Sequence, residues 1–152
     1  MKVTRLVKAS DEDAFLLSTI AYEAKGFWDY PQAWLKLWKE DLTLSSDFLN
    51  QHHTFVISDK KDIFGFCLII SEKEFFTIEH CWISPKHIGK GLGKALLTQV
   101  LNLEKFQKQS FQVLSDPNAI GFYEKLGFQT EKMLPGKPEG RKLPLMKMIN
   151  RR

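Results

Sequence analysis

The sequence has few cysteines and no long apolar segment. Among its 152 residues only Cys67 and Cys81 are cysteines, and their spacing is not that of a CxxC pair. Both lie in apolar runs, which predicts reduced, buried thiols in a cytoplasmic protein. The longest apolar run, Ile63 to Ile70, is too short to span a bilayer, and Met1 leads into a strand-like segment rather than a signal peptide. We therefore expect a cytoplasmic protein with no membrane partner.

Clusters of basic residues are also absent. The net charge is +4, but lysine and arginine are scattered along the chain, without a basic run or a basic helix face. This distribution argues against a nucleic-acid partner, whereas the overall positive charge suits an anionic small ligand. A metal site is not expected either. His52 and His53 are adjacent, and His80, Cys81 and His87 lack the spacing that zinc sites use.

No internal repeat, low-complexity tract or linker divides the chain. The hydrophobic fraction of 43% and the charged fraction of 26% are ordinary for a globular protein. We therefore predict that residues 1–152 form one domain that is long enough to bury a core.

Hydrophobic periodicity predicts a mixture of strands and helices. Apolar runs predict strands at residues 3–8, 54–58, 63–70, 75–83, 111–114, 128–133 and 143–149. Ser10 and Asp13 form a capping box that begins a helix ending near Gly26, and Pro31 lies in the first turn of a second helix. Further helices are predicted after the glycines near residue 91 and after Asp116-Pro117, with a short helical turn at 45–47. The predicted order is β-α-α-β-β-β-α-β-α-β-β.

A glycine-rich turn follows the predicted strand Phe75–Ile83. Ser84-Pro85 ends strand pairing because proline lacks the amide hydrogen that a sheet requires. Gly89, Gly91 and Gly93 then alternate immediately before an apolar helix. Glycines allow a tight turn and close approach of a ligand, and the unpaired amides of a helix N-terminus attract anions. The arrangement predicts a phosphate-binding site, and a plain turn before a helix is the alternative reading.

Together with the segment NAIGFYEKLGF at residues 118–128, this turn resembles the GNAT superfamily of acyl-CoA-dependent N-acyltransferases. The family's phosphate-binding motif, [RQ]-x-x-G-x-[GA], corresponds to residues 88–93. Gly91 and Gly93 match, whereas Ile88 stands where the family usually has Arg or Gln; His87 or Lys86 can supply the missing polarity. The resemblance covers the whole chain and implies an α+β fold. Its mixed, mostly antiparallel sheet would have six to seven strands, splayed between strands 4 and 5, with about four helices.

The resemblance also implies which residues would hold acetyl-CoA. Main-chain groups near Cys81 and Ile83 would pair with the thioester carbonyl and the pantetheine arm, and the glycine segment would bind the pyrophosphate. Asn118 would contact the coenzyme from the start of the next helix. The residues implied in coenzyme binding are Cys81, Trp82, Ile83, Ile88, Gly89, Lys90, Gly91, Leu92, Gly93, Lys94 and Asn118.

Glu79 and Tyr123 are the predicted catalytic residues. Glu79 is the only carboxylate inside the central strand, and partial burial would raise its pKa enough to accept a proton from an ammonium, directly or through a water. The family often has a second Glu two residues earlier, where this chain has Thr77. Tyr123 matches the family's tyrosine that protonates the leaving thiolate. A structural carboxylate paired with a lysine, and a buried aromatic ring, are the alternative readings. An acyl-enzyme on Cys81 is disfavoured because no histidine partner is evident.

An aromatic segment lies where the family places its acceptor site. Such rings can hold an aryl or alkyl amine or contact a cation, but they can equally form a core and a lid. Asp29 is a candidate anchor for a cationic acceptor. Arg141, in the last loop, is either a contact for an acidic acceptor or a solvated surface charge. The predicted acceptor residues are Tyr22, Phe27, Trp28, Asp29 and Tyr30.

The sequence therefore predicts an N-acetyltransferase that moves an acetyl group from acetyl-CoA to a primary amine of a small molecule or peptide. Attack would be direct, within a ternary complex, and a homodimer is compatible with this prediction. The alternative is a catalytically silent acyl-CoA-binding sensor or interaction module with the same fold. Ile88 favours that alternative, whereas Glu79 and Tyr123 argue against it because a binding module needs neither.

Overall fold

The computed structural model describes residues 1–152 and contains one seven-stranded sheet with helices on both faces. The strands are β1 (Lys2–Arg5), β2 (His53–Ser58), β3 (Ile63–Ser71), β4 (Phe76–Ile83), β5 (Ser110–Leu114), β6 (Gln129–Pro135) and β7 (Lys142–Ile149). The α-helices are α1 (Asp11–Gly26), α2 (Gln32–Leu42), α3 (Ser46–Gln51), α4 (Leu92–Leu101) and α5 (Ile120–Lys125).

The strands lie in the order β1-β2-β3-β4-β5-β7-β6 across the sheet. Every neighbouring pair is antiparallel except β4 and β5, which are parallel. The predicted α+β fold class is confirmed, with seven strands and five helices. The short α3 accounts for the helix beyond the four that were predicted.

Local sequence signals explain where several elements begin. The Ser10 side chain accepts a hydrogen bond from the Asp13 amide at 3.1 Å, and the Asp13 carboxylate accepts one from the Ser10 amide at 2.9 Å. The predicted capping box therefore begins α1. Pro31 immediately precedes α2, where a missing amide hydrogen has no cost. The Asp59 side chain accepts hydrogen bonds from the amides two and three residues later, both at 2.7 Å, and so closes the β2–β3 turn.

The sheet separates two hydrophobic cores. One lies between the sheet and the helices α4 and α5, and the other lies beneath α1, α2 and α3. Leu96 and Val100 of α4 are fully buried in the first core, and Leu17 and Ala21 of α1 in the second, at the helical spacing that the sequence predicts. Coverage on both faces explains why β3 is nearly continuous in apolar residues. None of the helices is both long and apolar enough to cross a membrane.

A β-bulge in β4 isolates Glu79. Leu68 of β3 pairs with His80, but the next residue, Ile69, pairs with Ile78, so β4 carries one extra residue opposite β3. The extra residue reverses the alternation of the strand. Ile78 therefore packs into the core beside α4, whereas His80 lies against a phenylalanine of the core beneath α1. Glu79 has no partner on β3 and is exposed.

The parallel strands β4 and β5 separate at the same point. Phe76, Thr77 and Ile78 pair with residues 111–113, and no residue of β5 pairs with β4 beyond Ile78. The main-chain groups of residues 79–83 on this edge are therefore free of sheet hydrogen bonds. The splay predicted between strands 4 and 5 lies at the bulge.

Two predicted boundaries, the end of the first strand and the start of the last helix, are wrong by a few residues. β1 ends at Arg5 rather than at Lys8, because Lys8 has a φ of 58°, which an extended strand cannot accommodate. The helix predicted directly after Asp116-Pro117 begins only at Ile120, after a 3-10 turn at Pro117–Ala119. Asp116 nevertheless caps this turn, since its carboxylate accepts a hydrogen bond from an amide two residues later at 2.8 Å.

Candidate active site

A cavity of about 450 Å³ lies where β4 and β5 separate. Residues of α4 and α5 line it on one face of the sheet. The end of α1, including Lys25, and the following Trp28 line it on the other face. The cavity therefore passes through the gap in the sheet, and two molecules can meet inside it from opposite faces.

The glycine segment at residues 89–93 forms part of the cavity wall at the start of α4. Gly89 has a φ of 82°, and Gly91, the N-cap of α4, has a φ of 71°. Both conformations favour glycine, and a Cβ at either position would meet no protein atom within 4 Å. A Cβ on Gly93 would lie 3.1 Å from the ring of Phe122, so a glycine there lets α4 approach α5. Open space in front of a helix N-terminus suits a phosphate group.

Most of the residues predicted to contact the coenzyme come together in this cavity. All of them line it except Lys90. Ile88, at the first position of the motif, contributes an apolar side chain that is 45% exposed. Of the two residues that could replace its missing polarity, His87 lines the cavity and Lys86 does not. The His87 ring packs on Phe64 with ring centroids 4.3 Å apart, which holds the imidazole beside the glycine segment.

Glu79 projects from the bulge into the cavity wall. Partial burial by the surrounding walls raises the pKa of its carboxyl, and the nearby Glu72 carboxylate raises it further. No lysine or arginine forms a salt bridge with Glu79, so the structure shows no support for the reading of a paired structural carboxylate. An unpaired carboxylate with a raised pKa has the properties of a general base.

Tyr123 of α5 lines the same cavity. Its ring packs edge-on against Phe122 and Phe128, at centroid distances of 5.0 and 5.5 Å. Its hydroxyl forms no hydrogen bond to a protein nitrogen or oxygen and interacts with the Cys81 thiol, which lines the same cavity. Burial raises the pKa of Tyr123 well above its usual value, and the Cys81 thiol adds to the rise. The phenol is therefore protonated at neutral pH.

The Cys81 thiol is poorly suited to act as a nucleophile. Burial raises its pKa to about 12, despite an opposing effect of the Tyr123 hydroxyl, so the thiol stays protonated at neutral pH. The adjacent His80 faces the other side of the strand, where its Nδ1 accepts a hydrogen bond from the Trp82 indole at 3.0 Å. No group of three or more His, Cys, Asp or Glu side chains is placed to hold a metal ion.

Four polar side chains, three of them buried and that of Tyr30 half-buried, meet beside the cavity, and we call them the Asp116 cluster: Lys25, Tyr30, Asp116 and Arg141. The Lys25 ammonium donates a hydrogen bond to the Asp116 carboxylate, and the Tyr30 hydroxyl donates another at 2.9 Å. Nη2 of Arg141 donates to the Tyr30 hydroxyl at 2.9 Å and lies 3.4 Å from the Asp116 carboxylate. Burial raises the pKa of Asp116, but Lys25, the Asn118 amide and the Tyr30 hydroxyl together lower it by more, so the carboxylate stays ionised.

The Asp116 cluster corrects the interpretation of three residues. Arg141 is not a solvated surface charge, because its side chain is only 10% exposed. Asp116 both caps a turn and binds two cations. Lys25, which was given no role, lies four residues after Ala21 on the buried face of α1, and a lysine on an apolar face was the available signal. Nothing in the local sequence around Arg141 indicates burial.

Only one of the five predicted acceptor residues lines the cavity. This residue, Trp28, is 41% exposed and meets Phe27 edge-on at 5.4 Å. Tyr30 belongs to the Asp116 cluster, and Tyr22 packs against the core beneath α1. Asp29 is exposed, with a φ of 59°, and lies outside the cavity wall, so the structure does not bring this candidate anchor to the site.

Known sequences resemble part of this chain. The sequence model of the acetyltransferase (GNAT) domain family matches residues 50–130. An uncharacterised N-acetyltransferase, ycf52, of Gracilaria tenuistipitata var. liui is 28% identical over 61% of this chain and 52% of its own length. A peptidyl-lysine N-acetyltransferase, YjaB, of Salmonella typhimurium is 29% identical over 70% of both chains. The chain thus spans about half of the first relative and more than two thirds of the second.

Solved structures show the same fold along nearly the whole chain. The PaiA N-acetyltransferase of Thermoplasma acidophilum, solved in complex with coenzyme A, superposes with a TM-score of 0.74 at 17% identity and covers 98% of this chain and 99% of its own. The ribosomal-protein-S18-alanine N-acetyltransferase of Escherichia coli superposes with a TM-score of 0.68 at 18% identity, over 97% of this chain and 92% of its own. At these identities the likeness shows a shared fold.

Proposed function

The chain belongs to the GNAT acetyltransferase family, and on that premise we propose that it transfers an acetyl group from acetyl-CoA to a primary amine by direct attack. Residues 1–152 would act as one acetyltransferase domain. The observation that carries the proposal is the gap between β4 and β5. It joins the glycine segment, the free edge of β4, Glu79 and Tyr123 in a single cavity that is open to both faces of the sheet.

The residues present fit acetyl-CoA on the α4 side of the gap. The space in front of Gly89 and Gly91 and the first amides of α4 would hold the pyrophosphate. The unpaired main-chain edge of β4 at residues 79–83 would hydrogen-bond the pantetheine arm and the thioester carbonyl, in the manner of an added strand. When bound there, acetyl-CoA supplies an acetyl group activated as a thioester.

Two side chains would move the protons of the reaction. The Glu79 carboxylate would accept a proton from the acceptor ammonium, directly or through a water, so that the amine becomes nucleophilic. The Tyr123 hydroxyl would donate a proton to the sulfur of the departing thiolate. The raised pKa of Glu79 makes it a stronger base than usual, and Tyr123 is protonated at neutral pH, with its raised pKa making it a weaker acid than a free phenol. Cys81, with its pKa near 12, would only pack against Tyr123.

The coenzyme site is tested by the substitution Gly91→Glu. At a φ of 71° a Cβ is strained, and the new carboxylate would occupy the helix amides and repel phosphate. We expect the affinity for CoA, measured by calorimetric titration, to fall by about tenfold to a hundredfold. Gly121→Glu, on an exposed glycine outside the cavity wall with open space around it, is the matched control and should bind CoA normally. If the two variants bound CoA with equal affinity, the glycine segment would not be part of the coenzyme site.

The role of Tyr123 is tested by Tyr123→Phe. Because the hydrogen-bonding partner of the hydroxyl is the Cys81 thiol, a weak one, removal of the hydroxyl should leave the thermal midpoint and CoA affinity nearly unchanged. The turnover rate should fall by about a hundredfold, the lower end of the range for general acid catalysis, since a thiolate leaves readily. Thiol release measured with 5,5′-dithiobis(2-nitrobenzoate) reports this rate. Full activity in the variant would show that Tyr123 is a buried aromatic residue of the core and not the general acid.

A catalytically silent acyl-CoA-binding module is the second candidate, and Ile88 is the observation that favours it. Its exposed apolar side chain occupies the motif position at which the family has a polar donor. The two functions differ in a simple measurement. Micromolar binding of acetyl-CoA without thiol release, across a broad panel of amines, would favour the silent module, whereas thiol release that depends on an amine would favour the transferase.

A further inference from the structure

The Asp116 cluster carries more positive than negative charge. Lys25 and Arg141 are cationic, and Asp116 is the one carboxylate within 4 Å of either. One positive charge is therefore left without an anionic partner. The side chains of all three residues are only 8–10% exposed, so little water is available to screen that charge.

Aromatic rings support the two cations in this position. The Trp38 ring lies close to both, 4.5 Å from the Lys25 ammonium and 4.6 Å from the Arg141 guanidinium carbon. Both cations also lie over the Tyr30 ring, at 5.2 and 5.1 Å. Aromatic faces stabilise a cation without neutralising it. The cluster therefore keeps its positive potential beside the cavity.

Arg141 has donors that the protein does not use. Both of its hydrogen-bonding contacts are made by Nη2, to Tyr30 and Asp116. Its Nε and Nη1 make no hydrogen bond. Every side-chain nitrogen or oxygen that is inaccessible to solvent has a hydrogen-bond partner, so Nε and Nη1 are accessible to solvent. Nε and Nη1 lie on different edges of the guanidinium, so each can donate a separate charge-assisted hydrogen bond to a carboxylate.

The cluster lies on the acceptor side of the proposed reaction. Lys25, Asp116 and Asn118 line the same cavity as Glu79, and Lys25 does so from α1, on the face of the sheet opposite α4. Asn118 adds an amide that donates to the Tyr30 hydroxyl at 3.0 Å. A molecule entering from the α1 side therefore meets the Lys25 ammonium and the Glu79 carboxylate in one space, with Arg141 outside the cavity wall beside Asp116.

We propose that the acceptor is a small molecule carrying both an amine and a carboxylate, with the Arg141 and Lys25 cations of the Asp116 cluster binding its carboxylate. This inference rests on the proposed acetyltransferase function and names its substrate class. The amine of such a molecule would be directed toward Glu79 while its anionic end is held. Diamines and other purely cationic amines would be repelled by the same cluster.

The test compares amino acids with their amides, which differ only in the carboxylate. Glycine, β-alanine and 4-aminobutyrate form a series of increasing length, each paired with its carboxamide. Binding to the protein is measured by calorimetry with and without saturating CoA, and acetyl transfer is measured separately. We expect one length to bind about tenfold to a hundredfold more tightly than its amide, as for a hydrogen-bonded charge pair. An amidated peptide beginning with aspartate, against one beginning with asparagine, shows whether an acidic peptide supplies the carboxylate instead.

Arg141→Met should reduce the preference for the carboxylate to less than about threefold, and Lys25→Met should weaken it, while Arg141→Lys should restore part of it. Lys137→Met is the matched control, because it removes an exposed cation from the same β6–β7 loop. A purely structural role of Arg141 would lower the affinities for acid and amide equally and leave their ratio unchanged.

The outcomes separate this inference from the proposed function. Carboxylate-dependent binding without acetyl transfer, to these acids or to any amine of the broad panel, would retain the carboxylate site and overturn the transferase. Transfer with equal or better use of the amides, or a carboxylate preference that survives both Arg141→Met and Lys25→Met, would overturn the inference and leave the transferase intact. The absence of any carboxylate-dependent binding would also overturn it.

Discussion

Glu79→Gln is expected to lower the rate of acetyl transfer at neutral pH by about a hundredfold to ten-thousandfold, the usual contribution of a general base. Glutamine keeps the size and polarity of the side chain but cannot accept the proton of an ammonium. The affinity for CoA should remain normal, because the predicted coenzyme contacts come from the glycine segment and the main chain of β4. Steady-state kinetics with a saturating amine, together with calorimetric titration of CoA, measures both effects.

The pH dependence gives this prediction a sharper form. A base acts when it is deprotonated, so kcat/KM should fall as the pH drops through the pKa of Glu79. Because burial and the Glu72 carboxylate raise that pKa, the fall should begin at a higher pH than for an ordinary glutamate, whose pKa is about 4.3. Glu79→Gln should remove this acidic limb and leave only the titration of the amine substrate.

Glu72→Gln provides a matched control for Glu79→Gln. It removes the same charge from an exposed residue that raises the pKa of Glu79. The plateau rate should be unchanged, and the acidic limb should move to lower pH. If Glu79→Gln changed neither the plateau rate nor the pH profile of the parent protein, Glu79 would be excluded from the reaction.

Glu79 illustrates what can and cannot be predicted from the sequence. Its position inside an apolar strand was visible, since periodicity identifies strands locally. The bulge that exposes it was not visible, because a register shift depends on which residues of β3 pair with β4. Without the bulge, Ile78 and His80 would share one face of the sheet. The sequence therefore indicated the residue type and approximate place, and the pairing determined the accessibility of its carboxylate.

The order of elements and the glycine segment were predictable for the same local reason. The capping box at Ser10 and the positive φ values at Gly89 and Gly91 are properties of short segments. The Asp116 cluster is the opposite case. Lys25 and Asp116 are 91 residues apart, and Tyr30 and Arg141 are 111 apart. Their association follows from the packing of α1 on β3 and β4, beside the segments that follow β5 and precede β7, which no local pattern reports.

The stability of the fold should depend strongly on the one carboxylate of that cluster. Asp116→Ala leaves Lys25 and Arg141 buried together with no anion, and breaking a buried charge pair in this way costs about 3–5 kcal/mol. Lys25→Met should cost clearly less, because Asp116 and Arg141 remain as a neutral pair and methionine fills similar space beside Trp38. Urea unfolding followed by tryptophan fluorescence gives the free energies of unfolding.

The direction of the pH effect follows from the pKa of Asp116. Burial alone raises that pKa, but the bonds from Lys25, Tyr30 and the Asn118 amide lower it overall, below the value of about 4 in the unfolded chain. The stabilisation is therefore fully present above pH 4 and is lost as the pH falls through the folded value. The difference in stability between the parent protein and Asp116→Ala should accordingly be constant near neutral pH and shrink in acid. Asp62→Ala, which removes an exposed carboxylate from a turn, is the control and should have the same free energy of unfolding as the parent protein at every pH.

If Lys25→Met proved as destabilising as Asp116→Ala, the two cations would not be sharing one carboxylate, and the surplus charge assigned to the cluster would have to be abandoned.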